Sequence, residues 1–172
     1  GTLQIGTGGT TGALSTGSSI SNNGTMVFNR SNTITQGTDF ANSITGTGNI
    51  TQSGSGTLVL GTNTYSGATT VNAGTLQLSG NISSSALTLN SGGVVSAGST
   101  AAVAKYNAAS LTISGDSGYA FTIGNISGGT SGTAGTDYDQ ISTSGAITFN
   151  NTLANPFTVY INGTPTNWSS SG

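Results

Sequence analysis

The sequence predicts an all-β protein, a single parallel β-helix, and three observations support this fold class. Short apolar runs alternate with polar residues, glycine is too frequent for long helices, and one strand unit returns along the chain. The chain has 172 residues, of which 29 are glycine. Apolar residues at every second position indicate strands with one buried face. No segment keeps the 3.6-residue apolar period of an amphipathic helix.

The recurring unit is Gly-Thr-Leu followed by one more residue and a second apolar residue. It occurs at residues 56–60 and 74–78, opens the chain at residues 1–5, and returns in weaker form at 24–28. The copies at residues 1–5 and 74–78 begin 73 residues apart (74 − 1 = 73), which corresponds to about three coils at ~24 residues each. The repeat therefore predicts coils of similar length in which these strands occupy one equivalent position.

An antiparallel sandwich is the competing architecture, because it also uses short strands at even spacing. A sandwich gives no reason for a near-identical strand to return, whereas coils stacked about 4.8 Å apart repeat the same inward position. We therefore expect apolar ladders, with Leu58, Leu60, Leu76 and Leu78 pointing inward. Thr and Asn side chains at matching positions should form polar ladders.

A shift in composition near residue 101 divides the chain in two. Residues 1–100 are predicted to be the repeat coils of the solenoid. Residues 101–172 carry longer strands, most of the aromatic residues and three of the four Asp residues. We expect this second part to be a terminal module that continues the coil and closes it, because solenoids need atypical end repeats.

Residues 46–60 and 63–78 resemble the autotransporter-associated β-strand repeat of bacterial secreted surface proteins, and the likeness extends over residues 1–80. Residues 135–141, Gly-Thr-Asp-Tyr-Asp-Gln-Ile, resemble a module that often ends the solenoid in that family. The resemblance implies a right-handed β-helix at the surface of, or secreted by, a Gram-negative-type bacterium. It does not imply one ligand, since such proteins serve as adhesins, matrix components and spacers.

Charge and composition exclude several function classes. Only 3% of the residues are charged and the net charge is −2, so no basic stripe is available for nucleic acid or for an anionic membrane. The chain has no Cys and no His, which removes the usual ligands of zinc, haem and iron–sulfur clusters, and we expect no cofactor. Four scattered Asp residues without Glu do not indicate a polysaccharide hydrolase or lyase. We expect no enzyme activity and no insertion into a membrane.

Four residues are candidates for chemistry. Asp137 and Asp139 are weak calcium ligands, because alternation puts both on one face; the competing interpretation is a solvent-facing strand edge. Lys105 would form an isopeptide cross-link to an Asn only if it is buried beside an acid such as Asp116, and otherwise is an exposed lysine in a connecting segment. Asp116 itself lies in Gly-Asp-Ser-Gly, the composition of a plain turn.

The predicted function is a non-enzymatic extracellular structural rod or filament component. The alternative is an adhesin that binds a glycan or a cell surface through aromatic side chains. Trp168 and Tyr160 would stack on a sugar ring or, alternatively, cover the end of the core. A broader binding face would need the tyrosines that occur elsewhere in the chain: Tyr65, Tyr106, Tyr119 and Tyr138.

The first strand predicts self-association. It consists of Gly1, Thr2, Leu3, Gln4 and Ile5, and residues 1–29 contain neither a charged residue nor a proline to protect a strand edge. An uncovered solenoid end exposes apolar core and unpaired backbone groups. A head-to-tail contact at such an end does not close, so we expect end-to-end filaments of identical copies. The alternative is that the chain is a fragment of a longer solenoid, whose upstream coils cover this end.

Overall fold

The computed structural model describes residues 1–99, 102–124 and 132–163, and regular structure within these residues consists of β-strands. The strands in chain order are β1 (Thr2–Ile5), β2 (Ile20–Ser21), β3 (Thr25–Phe28), β4 (Ile34–Thr35), β5 (Ile44–Thr45), β6 (Asn49–Gln52), β7 (Thr57–Leu60), β8 (Thr69–Val71), β9 (Gly74–Leu78), β10 (Ile82–Leu89), β11 (Gly93–Ala97), β12 (Lys105–Ser114), β13 (Gly118–Thr122), β14 (Gln140–Thr143), β15 (Ile147–Asn150) and β16 (Thr158–Asn162).

The strands form two long parallel sheets and one short one. The first sheet has the order β1-β3-β6-β8-β10-β12-β14, and β15 also pairs with β12. The second sheet has the order β4-β7-β9-β11-β13-β16, and β2 pairs with β5 in the short sheet. Because each strand pairs in parallel with the strand one coil earlier and one coil later, the fold is a parallel β-solenoid, as predicted.

The coils differ in length, which corrects the prediction of coils of similar length. Met26 pairs with Ile50 (50 − 26 = 24), and Leu58 pairs with Leu76 (76 − 58 = 18). The copies of the repeated unit at residues 1–5 and 24–28 lie in the first sheet, whereas the copies at 56–60 and 74–78 lie in the second. The interval of 73 residues is therefore not a whole number of coils, and the prediction of one equivalent position is wrong.

Apolar ladders fill the space between the two sheets. Leu58 stacks on Leu76 and Leu60 on Leu78, and all four side chains are fully buried, as predicted. In the first sheet one inward ladder runs through all seven coils: Leu3, Met26, Ile50, Thr69, Leu87, Leu111 and Ile147. The ladders join into a single buried cluster.

Glycine opens the repeated unit because the preceding coil comes too close for a side chain. A Cβ atom at Gly56 would lie 2.2 Å from the carbonyl oxygen of Asn32. At Gly74, where φ is +61°, it would lie 2.4 Å from the carbonyl oxygens of Gly54 and Gly56. Both positions exclude any other residue without a shift of the backbone.

Polar ladders accompany the apolar ones, as predicted. Asn90 Nδ2 donates to Asn72 Oδ1 at 2.8 Å, and Asn107 Nδ2 donates to Asn81 Oδ1 at 2.7 Å. The parallel pairing also continues past residue 100, where β12 pairs with β10 and β13 with β11. The division into residues 1–100 and 101–172 remains a prediction.

Candidate functional site

Asp137 belongs to a turn that the chain uses twice. Residues 35–40, Thr-Gln-Gly-Thr-Asp-Phe, and residues 133–138, Thr-Ala-Gly-Thr-Asp-Tyr, have the same hydrogen bonds. In each copy the Asp Oδ2 accepts a 2.7 Å bond from the backbone N–H of the first Thr. The repeated pattern Thr-x-Gly-Thr-Asp-aromatic is visible in the sequence, and it assigns Asp39 and Asp137 a structural role that the sequence analysis missed.

Asp139 points into the protein, away from the direction predicted for it. Its side chain is 1% exposed, and its carboxylate accepts backbone N–H bonds from Ala104 at 2.8 Å and from Thr122 at 2.7 Å. The prediction that Asp137 and Asp139 share one face is wrong, as is that of a solvent-facing edge at Asp139. Burial raises the pKa of the Asp139 carboxyl, and the hydrogen bonds from the two N–H groups oppose this shift.

Two tyrosine hydroxyls lie close to this buried carboxylate. Neither the Tyr106 hydroxyl nor the Tyr119 hydroxyl has a hydrogen-bond partner within the described residues, although both are buried. Burial raises the pKa of Tyr106 well above its ordinary value, and repulsion from Tyr119 and Asp139 adds to the rise. The Thr122 side chain also hydrogen-bonds to the Asp139 carboxyl group, so this group is bonded to the surrounding structure through both backbone and side chain.

Tyr65 is also part of the core. Its hydroxyl lies 2.6 Å from Thr69 Oγ1, which lies 2.8 Å from Ser85 Oγ, and Ser85 donates to the carbonyl oxygen of Gly67. Burial raises the pKa of Tyr65 to about 12. The predicted tyrosine binding face is therefore wrong for Tyr65, Tyr106 and Tyr119, because a buried ring cannot contact a glycan.

The remaining aromatic candidates lie toward the last described coil. Tyr138 is half-buried, and its ring stacks on Phe121 at 6.5 Å between centroids. Tyr160 is 51% exposed and its ring covers Gly118. Trp168, the predicted partner of Tyr160 in glycan contact, lies outside the described residues.

The geometry does not support an isopeptide cross-link of Lys105 to an Asn with Asp116 as the neighbouring acid. Lys105 begins β12, and Asp116 follows its far end. A strand of that length spans about 30 Å, since each residue advances the chain by roughly 3.3 Å. Asp116 has φ of 59° and lies in a turn, as predicted, and the Ser117 hydroxyl donates to the Ser114 carbonyl oxygen rather than to a base.

Each end of the described solenoid presents apolar residues. The strand β1 is hydrogen-bonded to β3 alone, and of its two apolar residues Leu3 is 48% exposed while Ile5 is only 4% exposed. At the other end four residues that continue the inward ladders are about half exposed: Ile147, Phe149, Val159 and Ile161. The same ladder positions in the middle coils are buried.

The described residues hold no group of three His, Cys, Asp or Glu side chains near enough to share a metal ion. Within residues 1–99, 102–124 and 132–163 there is also no helix long and apolar enough to span a membrane.

Comparison with known families identifies one segment of the chain. Residues 50–78, which extend from β6 to β9, match the model of the passenger-associated-transport-repeat. Comparison with curated proteins and with solved structures found no match. The matched segment contains both copies of the repeated unit in the second sheet, where consecutive coils are shortest. Over residues 50–78 the chain is similar to the passenger-associated-transport-repeat, as its resemblance to an autotransporter passenger repeat predicted.

Proposed function

We propose that this chain is a non-enzymatic structural rod of a passenger-type protein, secreted to or held at the surface of a Gram-negative-type bacterium, and that its copies associate end to end. The passenger-type repeat at residues 50–78 supports the secreted location and a structural rather than a catalytic role. The continuous parallel sheets support the rod, because every coil is bonded to its neighbours along one axis.

One observation carries the proposed association: within the described residues, the inward ladders finish in exposed side chains at both ends. In the longest ladder the five middle residues are at most 2% exposed, whereas Leu3 and Ile147 at its ends are each 48% exposed. A further coil placed against either end would bury these side chains and pair the free strand edge. A second copy supplies such a coil, and the net charge of −2 opposes its approach only weakly.

A head-to-tail contact uses two different surfaces, which permits a sharp test. Leu3→Lys places a charge on the first end and leaves the other end intact, whereas Ile161→Lys does the reverse. Each variant alone should sediment as a monomer, and an equimolar mixture should form dimers that grow no further. Ser84→Lys adds the same charge at an exposed position of β10 away from both ends and should leave association unchanged.

The results separate the rod from the association. If the unmodified protein stays monomeric at high concentration, end-to-end association is wrong, although the solenoid remains. If the mixture of the two end variants continues to polymerise, the contact is not head to tail. Ile5→Lys is less suitable for this test than Leu3→Lys, because Ile5 is buried and a charge there would also destabilise the fold.

Glycan binding is a second candidate function, and the exposed ring of Tyr160 favours it. Its test is binding to a panel of glycans before and after Tyr160→Ala, with a loss of binding expected. The ring of Tyr160 is by itself a small contact surface for a sugar chain, so the structural role is better supported.

A further inference from the structure

The outer face of the first sheet carries a straight column of five threonines. The strand register places Thr51 beside Thr70, Thr70 beside Thr88, Thr88 beside Thr112, and Thr112 beside Thr148. Because neighbouring strands lie about 4.8 Å apart, these side chains repeat at that interval along the solenoid. The first four are half-buried and Thr148 is exposed, so all five are accessible from solvent.

A second column runs parallel to the first. Two residues after each of these threonines lies an asparagine or a serine. Ser114 and Asn150 lie within β12 and β15, where residues two apart share a face at a separation of roughly 6.6 Å, whereas the other three each directly follow the last residue of their strand. The members of the second column are Ser53, Asn72, Asn90, Ser114 and Asn150. Within it, the amide bond between Asn90 and Asn72 at 2.8 Å fixes two side chains. We call the ten residues of the two columns the Thr–Asn array.

The hydroxyl groups of the array are not used by the protein. Among the described residues, none forms a hydrogen bond with the hydroxyl group of any of the five threonines. The array contains no charged and no aromatic residue. Its threonines are therefore free to contact a ligand that is uncharged and presents hydrogen-bonding groups at one constant interval.

Coil stacking alone does not produce this regularity. The equivalent outward row of the second sheet belongs to the same solenoid, yet each of its six residues is of a different type: Thr35, Val59, Gln77, Ser96, Ala120 and Tyr160. Two of them, Val59 and Ser96, are buried. The sequence thus supplies a uniform column on one face of the solenoid and not on the other.

We infer that the Thr–Asn array binds the surface of ice. The oxygen atoms of hexagonal ice repeat at a separation close to that of neighbouring β-strands, and each is both donor and acceptor, as a threonine hydroxyl is. The threonine methyl groups restrict the water molecules beside them, which favours an ordered layer. Binding of a sugar chain would require aromatic rings, and binding of an anionic polymer would require cationic side chains. The array has neither.

The test compares incorporation into ice of three purified, fluorescently labelled proteins. The unmodified protein should concentrate in a slowly growing ice crystal and inhibit recrystallisation of fine-grained ice. Replacing Thr70 and Thr88 together by tyrosine should abolish both effects, because the bulky rings interrupt both the spacing and the surface. Gln77→Tyr places the same ring on the outer face of the second sheet and should behave as the unmodified protein does.

Circular dichroism spectra and melting curves establish that each variant is folded. If the double variant does not fold, Thr88→Lys replaces it and should likewise abolish incorporation. Exclusion of the unmodified protein from ice overturns the inference, as does equal incorporation of the folded array variant. Array-dependent binding to insoluble cellulose or chitin without incorporation into ice would overturn it in favour of a glycan surface.

Discussion

At the scale of single residues, three carboxylates and one tyrosine stabilise the fold through hydrogen bonds. Asp39, Asp137 and Asp139 each accept backbone N–H bonds, and Tyr65 closes a chain of buried hydroxyls. Sequence alone did not place these side chains, because alternation predicts direction within a strand but not at the corners of a coil. The repeated Thr-x-Gly-Thr-Asp pattern did contain the information for Asp137.

Replacement of two buried tyrosines by phenylalanine should have opposite effects. Tyr65→Phe removes the hydroxyl bonded to Thr69 and should lower the free energy of unfolding by about 1 kcal/mol. Tyr106→Phe removes a buried hydroxyl that has no partner among the described residues and should leave the free energy of unfolding unchanged or raise it by about 1 kcal/mol. Urea denaturation measures both. Equal destabilisation by the two replacements would show that the Tyr106 hydroxyl does have a partner.

Asp139 should make stability fall as the pH rises. Its pKa is raised in the folded state from the ordinary value of 3.8. As the pH rises, the Asp139 carboxyl therefore loses its proton first in the unfolded chain and only at a higher pH in the folded chain. The stability that Asp139 contributes is fully present below its pKa in the unfolded state and is lost as the pH rises through its pKa in the folded state. Asp139→Asn removes this dependence.

The measurement for Asp139 is the free energy of unfolding of both proteins between pH 3 and pH 7. The advantage of the unmodified protein over the Asn variant should shrink across that range. A difference that stays constant with pH would contradict the raised pKa.

At the scale of strands, the alternation of apolar residues predicted the inward ladders correctly. The repeated unit predicted coils of similar length, and this prediction was wrong. The unit Gly-Thr-Leu predicted the stacking of Leu58 on Leu76 because the two strands that carry it are adjacent in the second sheet. It could not reveal that residues 1–5 lie in the other sheet, because a glycine followed by an inward apolar pair suits either sheet. The lengths of the turns decide in which sheet a strand lies, and no repeated sequence pattern marks these lengths.

The ladder predicts a large difference between adjacent positions of β9. Leu76→Asp buries an unpaired charge in the core and should lower the free energy of unfolding by at least about 4 kcal/mol, or unfold the neighbouring coils. Gln77→Asp introduces the same charge on the outer side of the strand and should cost less than about 1 kcal/mol. Thermal melting followed by circular dichroism measures both, and similar melting curves would refute the assigned direction of Leu76.

At the scale of the whole molecule, the stacked coils and low charge leave little for proteases to attack. Trypsin has two target residues in the chain, Arg30 and Lys105. The Arg30 guanidinium donates to the carbonyl oxygens of Gly12 and Thr10, and Lys105 begins a strand that pairs with β14.

The folded protein should therefore resist trypsin at both residues. After unfolding in urea, cleavage should yield three fragments, residues 1–30, 31–105 and 106–172. Mass spectrometry of timed digests measures this. Cleavage of the folded protein at Lys105 as fast as in urea would show that the start of β12 opens freely.

Successive coils of this solenoid stack at a constant rise along one axis, and distances between spin labels can measure that rise. The sequence has no Cys, so pairs of introduced cysteines can be labelled without interference. Gln4, Thr88, Thr112 and Thr148 lie in one outward row of the first sheet. Pulsed electron paramagnetic resonance from position 4 to positions 88, 112 and 148 should give about 19, 24 and 29 Å, increasing by about 4.8 Å per coil. Distances that do not increase from one position to the next would contradict the solenoid.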